Sequence, residues 1–170
     1  MYRRDFLKTA GLWLLVPSSL VRAQEENTAQ ETLPELRKSK DEWRELLNED
    51  AYFVLFKEGT ERAFTSPLND EKRKGTYICA ACLLPLFESD TKFDSGTGWP
   101  SFIHPIPGRT GTKRDFQLIF PRTEYHCIRC TGHQGHVFND GPRPTGERWC
   151  NNGVALKFVP EGEELPALRQ

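Results

Sequence analysis

Hydrophobic and polar positions change period several times along this chain, and each change marks an element. Ala10 to Val21 is a short apolar stretch interrupted by Pro17, Ser18 and Ser19. From Gln24 to about Leu36 the residues are polar and acidic, with Pro34 and no periodicity, the pattern of a flexible linker covering 24–38. "SKDEWRELL" then carries a capping box, Ser39 with Glu42, and sets Trp43, Leu46 and Leu47 on one helical face. A second short helical or irregular piece is predicted from Ala51 to Lys57, ended by Gly59.

Beyond Gly59 the pattern reads as β. "GTYICAACLLPLFESDTKF" and "RDFQLIFPRTEYHCIRC" hold β-branched and aromatic residues in short runs broken by turn residues. "HVF" and "NNGVALKFV" read as further strands, separated by the Gly- and Pro-dense "NDGPRPTGE". The tail 161–170 is polar and is expected to fray. The prediction is a mainly β domain over 39–160, antiparallel, with short helices at its N-terminal edge.

The chain has 170 residues, enough for one domain with a hydrophobic core plus extensions. Its net charge is −1, and removing the first 23 residues, which carry a surplus of +3, would leave −4. A mildly acidic domain offers no electrostatic reason to bind nucleic acid or an anionic membrane. Residues 1–23 read as an export signal, with Arg3 and Arg4 before Phe6, Leu7 and Lys8, and a small residue, Ala23, at the expected cleavage point. The arginine pair resembles the twin-arginine consensus, which implies export to the periplasm of an already folded protein and no stable membrane association after cleavage. The alternative is an uncleaved signal that anchors the chain, although the apolar stretch is short for a bilayer span.

Four of the five cysteines form two CxxC pairs, Cys79/Cys82 and Cys127/Cys130. Each i, i+3 pair on a tight turn presents two sulfurs to one side, so the two pairs together suit a structural zinc ion. With 44 residues between the pairs, such an ion would clip together two distant hairpins. The alternatives are structural disulfides, which an exported protein could keep, and redox-active dithiols, for which no βαβ pattern is present.

Cys150, in "RWCNNGVALKF", has no partner by spacing. A free thiol is only slightly ionised at neutral pH, so a nucleophile needs cations or hydrogen-bond donors nearby. Arg148 and Asn152 lie two residues either side and would share its face on an extended strand. "CTGHQGHVF" supplies His133 and His136, and "SGTGWPSF" places Trp99 in a Gly-rich turn. Each has a bland alternative: an inert core thiol, surface histidines or extra metal ligands, and an ordinary core tryptophan.

"YICAACLLPLF", "SGTGWPSF", "YHCIRCTGHQGHVFNDGP" and "RWCNNGVALKF" occur in this order, and together they resemble methionine-R-sulfoxide reductase, the B type of methionine sulfoxide reductase. The likeness covers about Ser39 to Pro160. It implies a β-tent of two antiparallel sheets with a four-cysteine zinc site away from the active site. It further implies that Cys150 is the catalytic nucleophile, that Trp99 packs on the substrate's S-methyl group, and that His133, His136 and Asn152 line the sulfoxide pocket beside Arg148. Cys79, Cys82, Cys127 and Cys130 match the zinc ligands. The implied reaction turns methionine-R-sulfoxide, free or in oxidised proteins and peptides, into methionine and leaves Cys150 as a sulfenic acid. A thioredoxin-like or other thiol donor then restores it, and the enzyme is expected to act as a monomer. Three departures stand out: Gly153 where a small hydroxyl residue is common, Trp149 where Tyr or Phe is common, and Thr97 where many members carry a resolving cysteine. Two other classes fit parts of the pattern, a zinc-bound binding module without catalysis and a thiol–disulfide oxidoreductase using one CxxC.

Overall fold

The structure, a computed structural model, describes residues 33–118 and 120–170. The export signal expected over 1–23 and most of the expected linker lie outside the described residues. Among those described, no helix is long and apolar enough to cross a membrane.

Two short helices come first among the described residues, α1 (Lys40–Leu46) and α2 (Glu49–Lys57). The capping box forms as predicted: the Glu42 N–H donates to Ser39 Oγ, and the Ser39 N–H donates to Glu42 Oε2. Trp43 points inward and stacks on Phe56, but Leu46 is exposed, so the apolar face is narrower than its sequence suggests. The second helix starts before Ala51 because Asn48 caps it, accepting from the Ala51 N–H. It is ended not by Gly59 but by Glu58, which takes the left-handed conformation (φ 54°).

Nine strands follow among the described residues: β1 (Gly75–Cys79), β2 (Pro85–Glu88), β3 (Lys92–Phe93), β4 (Ser101–Phe102), β5 (Thr110–Asp115), β6 (Arg122–Cys127), β7 (His133–Phe138), β8 (Arg148–Asn151) and β9 (Leu156–Pro160). They form two antiparallel sheets, β2-β1-β9 and β3-β4-β8-β7-β6-β5. An aromatic core holds the sheets together: Phe87 stacks on Phe102 with centroids 4.1 Å apart and meets Tyr125 edge-on at 6.1 Å, and within the wide sheet Tyr125 meets Trp149 edge-on at 4.9 Å. Trp149, one of the departures noted above, therefore belongs to the core, with its indole N–H donating to Glu147.

Two strand expectations are corrected, and the two ends of the domain differ from expectation as well. The apolar centre of "RDFQLIFPRTEYHCIRC" is a loop between β5 and β6, started by the Asp115 carboxylate accepting from the Gln117 N–H, and it leaves Phe116, Leu118 and Phe120 exposed. "NNGVALKFV" is the end of β8, a 3₁₀ turn (Gly153–Ala155) and then β9. The polar tail does not simply fray: Leu168 packs on the core, and the Arg169 N–H donates to the Cys82 carbonyl. Leu33 and Leu36 of the expected linker also pack on the core.

Candidate active site

The wide sheet places one row of side chains across five strands. Ser101 stands opposite Cys150, Cys150 opposite His136, His136 opposite Glu124, and Glu124 opposite Lys113. Directly opposed residues of antiparallel strands share a face, so this row is the face that Phe102, Trp149 and Val137 turn away from.

His133 joins the row through an irregularity. An i, i+3 pair on a regular strand points to opposite faces. Here Tyr125 pairs with Gly135 and His126 with His133, so Gln134 is an extra residue on β7. The bulge resets the alternation and brings His133 to the side of His136, with ring centroids 5.3 Å apart.

Both histidines are oriented by carboxylates that the sequence patterns did not single out. His133 Nδ1 donates to Glu124 Oε1 at 2.8 Å, and His136 Nε2 donates to Asp115 Oδ2 at 2.8 Å. Burial pushes the Glu124 carboxyl up, but the hydrogen bonds from His126 and His133 outweigh it and hold it at about 2. Asp115 is likewise held at about 2, chiefly by the Gln117 N–H and, against burial, by His136 and Arg122. Both are ionised acceptors at neutral pH, which fixes the tautomer of each ring and leaves its second nitrogen to exchange a proton. Burial, opposed by the Asp115 hydrogen bond, lowers the pKa of His136.

Cys150 is half-buried, and its burial raises the thiol pKa. The Arg148 guanidinium, by charge and hydrogen bond, and the Thr97 hydroxyl act in the opposite direction. Arg148 is held in place by a two-pronged pair with Asp140, 2.8 and 3.0 Å, and lies over the Phe138 ring at 4.3 Å. Behind Thr97 runs a line of hydroxyls, with Ser95 Oγ 2.8 Å from both Thr97 Oγ1 and Ser101 Oγ. The turn that carries Thr97 needs its glycines: Gly96 and Gly98 have φ of 69° and 89°, in the left-handed region.

Trp99 sits in this turn, and its indole N–H donates to the Glu61 carbonyl at 2.9 Å. The turn is joined to the Cys150 strand by the Asn151 N–H, which donates to the Pro100 carbonyl at 2.9 Å. Asn152 is placed differently from the sequence expectation. It lies beyond the end of β8, and both ends of its amide are engaged with backbone: Nδ2 donates to the Gln134 carbonyl, and Oδ1 accepts from the Glu61 N–H, each at 2.9 Å. Its neighbour Gly153 has a steric reason to be glycine, because a Cβ there would fall 1.8 Å from Ser66 Oγ.

The two CxxC pairs form a separate centre. Each lies at the turn of a hairpin, β1–β2 in the narrow sheet and β6–β7 in the wide one. The turns are built alike: the Leu83 N–H donates to the Cys79 carbonyl and the Thr131 N–H to the Cys127 carbonyl, with Leu83 and Thr131 both left-handed. The Cys79 and Cys130 sulfurs are 3.6 Å apart, those of Cys82 and Cys127 3.5 Å, and all four lie within 4.8 Å of one another. Tetrahedral thiolate ligation with metal–sulfur bonds of about 2.3 Å needs sulfur–sulfur edges of about 3.8 Å, so the donor set fits a single metal ion. All five cysteines are free of disulfides.

Comparison with known proteins agrees with this geometry. The SelR domain pattern matches residues 47–160. The chain is 50% identical over 128 residues to the peptide methionine sulfoxide reductase MsrB of Leptospira interrogans, covering 75% of this chain and 98% of the relative. It is 51% identical over 130 residues to the MsrB of Agrobacterium fabrum, covering 76% and 96%. Against the chloroplastic peptide methionine sulfoxide reductase B1 of rice it is 53% identical over 119 residues, but spans only 56% of that longer protein. With the SelR pattern spanning both cysteine knuckles and the Cys150 strand, and bacterial relatives matched over nearly their whole length, the chain belongs to the SelR-domain family of MsrB peptide methionine sulfoxide reductases.

Proposed function

We propose that this chain reduces the R epimer of methionine sulfoxide, in oxidised proteins or peptides, with Cys150 as nucleophile. The observation that carries the reading is the placement of His136 directly opposite Cys150, with Arg148 and Thr97 both favouring the thiolate. The Cys150 thiolate attacks the substrate sulfur while the sulfoxide oxygen takes a proton from His133 or His136. With a second proton the oxygen leaves as water while a sulfur–sulfur bond joins Cys150 to the substrate. Water then attacks the Cys150 sulfur, that bond breaks with its electron pair going to methionine, and Cys150 is left as a sulfenic acid. The substrate sulfur thereby gains two electrons and the cysteine loses two. Trp99 receives the methyl group by apolar contact, which selects one epimer because methyl and oxygen cannot exchange places.

Regeneration falls to an external thiol, since Thr97 cannot form a disulfide and the other four cysteines face one another at the metal centre. A thioredoxin-like dithiol is the natural class of donor: it returns the thiol, releases water and becomes a disulfide. The twin-arginine pattern at Arg3 and Arg4 supports export, so that donor would be periplasmic. Zinc is the ion we assign to Cys79, Cys82, Cys127 and Cys130, on the chemistry of four buried sulfurs. Its role would be structural, tying the β1–β2 hairpin to the β6–β7 hairpin.

The test is turnover of separated R and S epimers of a peptide methionine sulfoxide with a dithiol reductant. The R epimer should be consumed, the S epimer should not, and Cys150→Ser should abolish turnover. Equal rates on both epimers would refute the reading.

A further inference from the structure

Glu61 lies in the irregular segment between α2 and β1, far in sequence from every motif named above, yet it touches both halves of the active site. Its backbone carbonyl accepts the Trp99 indole N–H at 2.9 Å. Its backbone N–H donates to Asn152 Oδ1 at 2.9 Å. Its carboxylate Oε2 accepts from the Gly153 N–H at 2.6 Å and the Val154 N–H at 3.3 Å, the start of the 3₁₀ turn that follows the nucleophile's strand. Asn152 continues the line to the Gln134 carbonyl, the bulge between the two histidines.

We propose that Glu61 is a positioning residue that holds the Trp99 ring and the turn after Cys150 in one frame, setting the methyl contact and the nucleophile relative to each other without touching substrate. The chemistry demands such a frame. Epimer selection depends on the distance and angle between the apolar wall and the attacking sulfur, and a displacement of about 1 Å can cost about 100-fold in rate. Trp99 needs a fixed partner because it stands in a turn with two left-handed glycines, Gly96 and Gly98, whose backbone is otherwise permissive. The two N–H groups of the 3₁₀ turn are the donors a short helical turn leaves without intrahelical partners, and a carboxylate answers both at once. Among the described residues the partly buried Glu61 carboxyl has no cationic partner, and it is held by these two N–H groups although burial raises its pKa. A carboxylate kept in that setting for backbone contacts alone is a brace. Gly153 completes the fit: a Cβ there would fall 3.2 Å from Glu61 Oε2 as well as clash with Ser66, so the close approach of the turn to the Glu61 segment requires glycine.

The proposal rests on the roles given to Cys150 and Trp99 above, and its test separates the two. Glu61→Ala, Glu61→Gln and Trp99→Phe are made in the full chain with metal bound. Three quantities are measured: turnover of R-sulfoxide peptide, the Trp99 indole N–H resonance by ¹H–¹⁵N NMR, and the rate of Cys150 alkylation. Glu61→Ala should raise KM and lower kcat/KM at least about 10-fold. It should shift the indole resonance and leave alkylation within about twofold of wild type, since Glu61 is not among the groups acting on the thiol. Glu61→Gln, which keeps an acceptor oxygen, should recover most of both the turnover and the resonance. Combined with Trp99→Phe, which has no indole N–H, Glu61→Ala should add less than its separate effect. Wild-type kcat/KM together with an unmoved resonance in Glu61→Ala overturns the proposal, as does full additivity. Should Glu61→Ala not fold, Glu61→Asp, whose carboxylate is one methylene short of the Gly153 and Val154 N–H groups, takes its place in the same readouts and in the cycle. An inactive wild-type enzyme would defeat the proposed function, while the resonance would still report whether Glu61 holds Trp99.

Discussion

His136 and Cys150 are directly opposed across β7 and β8, the closest relationship two side chains on neighbouring strands can have. That pairing puts a ring with an exchangeable proton beside a thiol that must lose one and a substrate oxygen that must gain one. The pairing is rigid because β7 also holds His133 through the Gln134 bulge, and the two carboxylates, Glu124 and Asp115, fix both rings from behind.

On the proposed mechanism, Arg148 is the charge that makes the thiol usable. Burial holds the Cys150 pKa above its ordinary value, and Arg148 is the largest influence acting against it. Arg148→Ala should therefore push the thiol further up, so that its alkylation-rate profile moves to higher pH. Turnover at neutral pH should fall about 10-fold or more, the size of a lost charged hydrogen bond. Asp140→Asn, which loosens Arg148 without removing it, should move the profile in the same direction by less. An alkylation profile identical to wild type in Arg148→Ala would remove this role.

The buried Glu124 makes stability depend on acid. Its folded-state pKa is about 2 against an ordinary 4.5, so its contribution is fully present above pH 4.5 and is lost as pH falls through about 2. A depression of that size corresponds to about 3 kcal/mol. Asp115 acts in the same direction, between an ordinary 3.8 and about 2. Glu124→Gln should be less stable than wild type at pH 7, and the gap should shrink as pH falls from 4.5 towards 2. Thermal unfolding in a pH series measures it, and a constant gap across that range would contradict the assignment.

How much of this was legible beforehand depended on the distance over which each feature acts. The Ser39 capping box and the pairing of four cysteines into two CxxC knuckles are local patterns that could be read from spacing, while the residues gathered around Cys150 were legible through the resemblance that four ordered motifs carry. What could not be read depends on pairing between distant strands. Nothing in "CTGHQGHVF" says that Gln134 is a bulge, yet that bulge is what gives His133 and His136 a common face. The same holds for Asn152, read as a continuation of the Cys150 strand: only the contact with Glu61, 91 residues away, shows that its amide is turned to backbone. Glu124, Asp115 and Glu61 had no motif of their own, because a carboxylate that orients another group is defined by its partner. The loop at Phe116–Phe120 misled for a different reason. Its apolar residues carry strand propensity, but the Asp115 side chain starts a turn there.

The metal centre joins the two sheets through their hairpin turns, so its loss should be felt by the whole fold. Cys127→Ser should lose bound zinc and lower the melting transition sharply, since structural zinc binding is worth about 10 kcal/mol or more in small domains. Metal analysis should give one zinc per wild-type chain, with four of the five thiols protected from alkylation until a chelator is added. A metal-free Cys127→Ser protein that melts with wild-type behaviour would show that the hairpins are held by packing alone.

Thr97 decides what becomes of Cys150 after a turnover. Its hydroxyl favours the Cys150 thiolate, in a position where many relatives are implied to carry a cysteine, and the remaining four cysteines are gathered in their own cluster. A single turnover without reductant should therefore leave one sulfenic acid per chain, at Cys150, trappable by a sulfenic-acid-specific reagent. Thr97→Cys should change that outcome. A cysteine sulfur leaves Cβ much as the threonine oxygen does, so it would point where the Thr97 hydroxyl now points, and a disulfide requires Cβ atoms about 3.8 Å apart. The glycines on either side, Gly96 and Gly98, give the turn the freedom to close that gap. After one turnover the variant should lose water to form a disulfide between the introduced thiol and Cys150, while the wild type retains the oxygen, and intact-protein mass spectrometry separates the two. The opposing cost is the Ser95–Thr97 hydroxyl contact at 2.8 Å, which a thiol replaces with a weaker one. If the variant instead accumulates sulfenic acid as the wild type does, Thr97 is not in the resolving position.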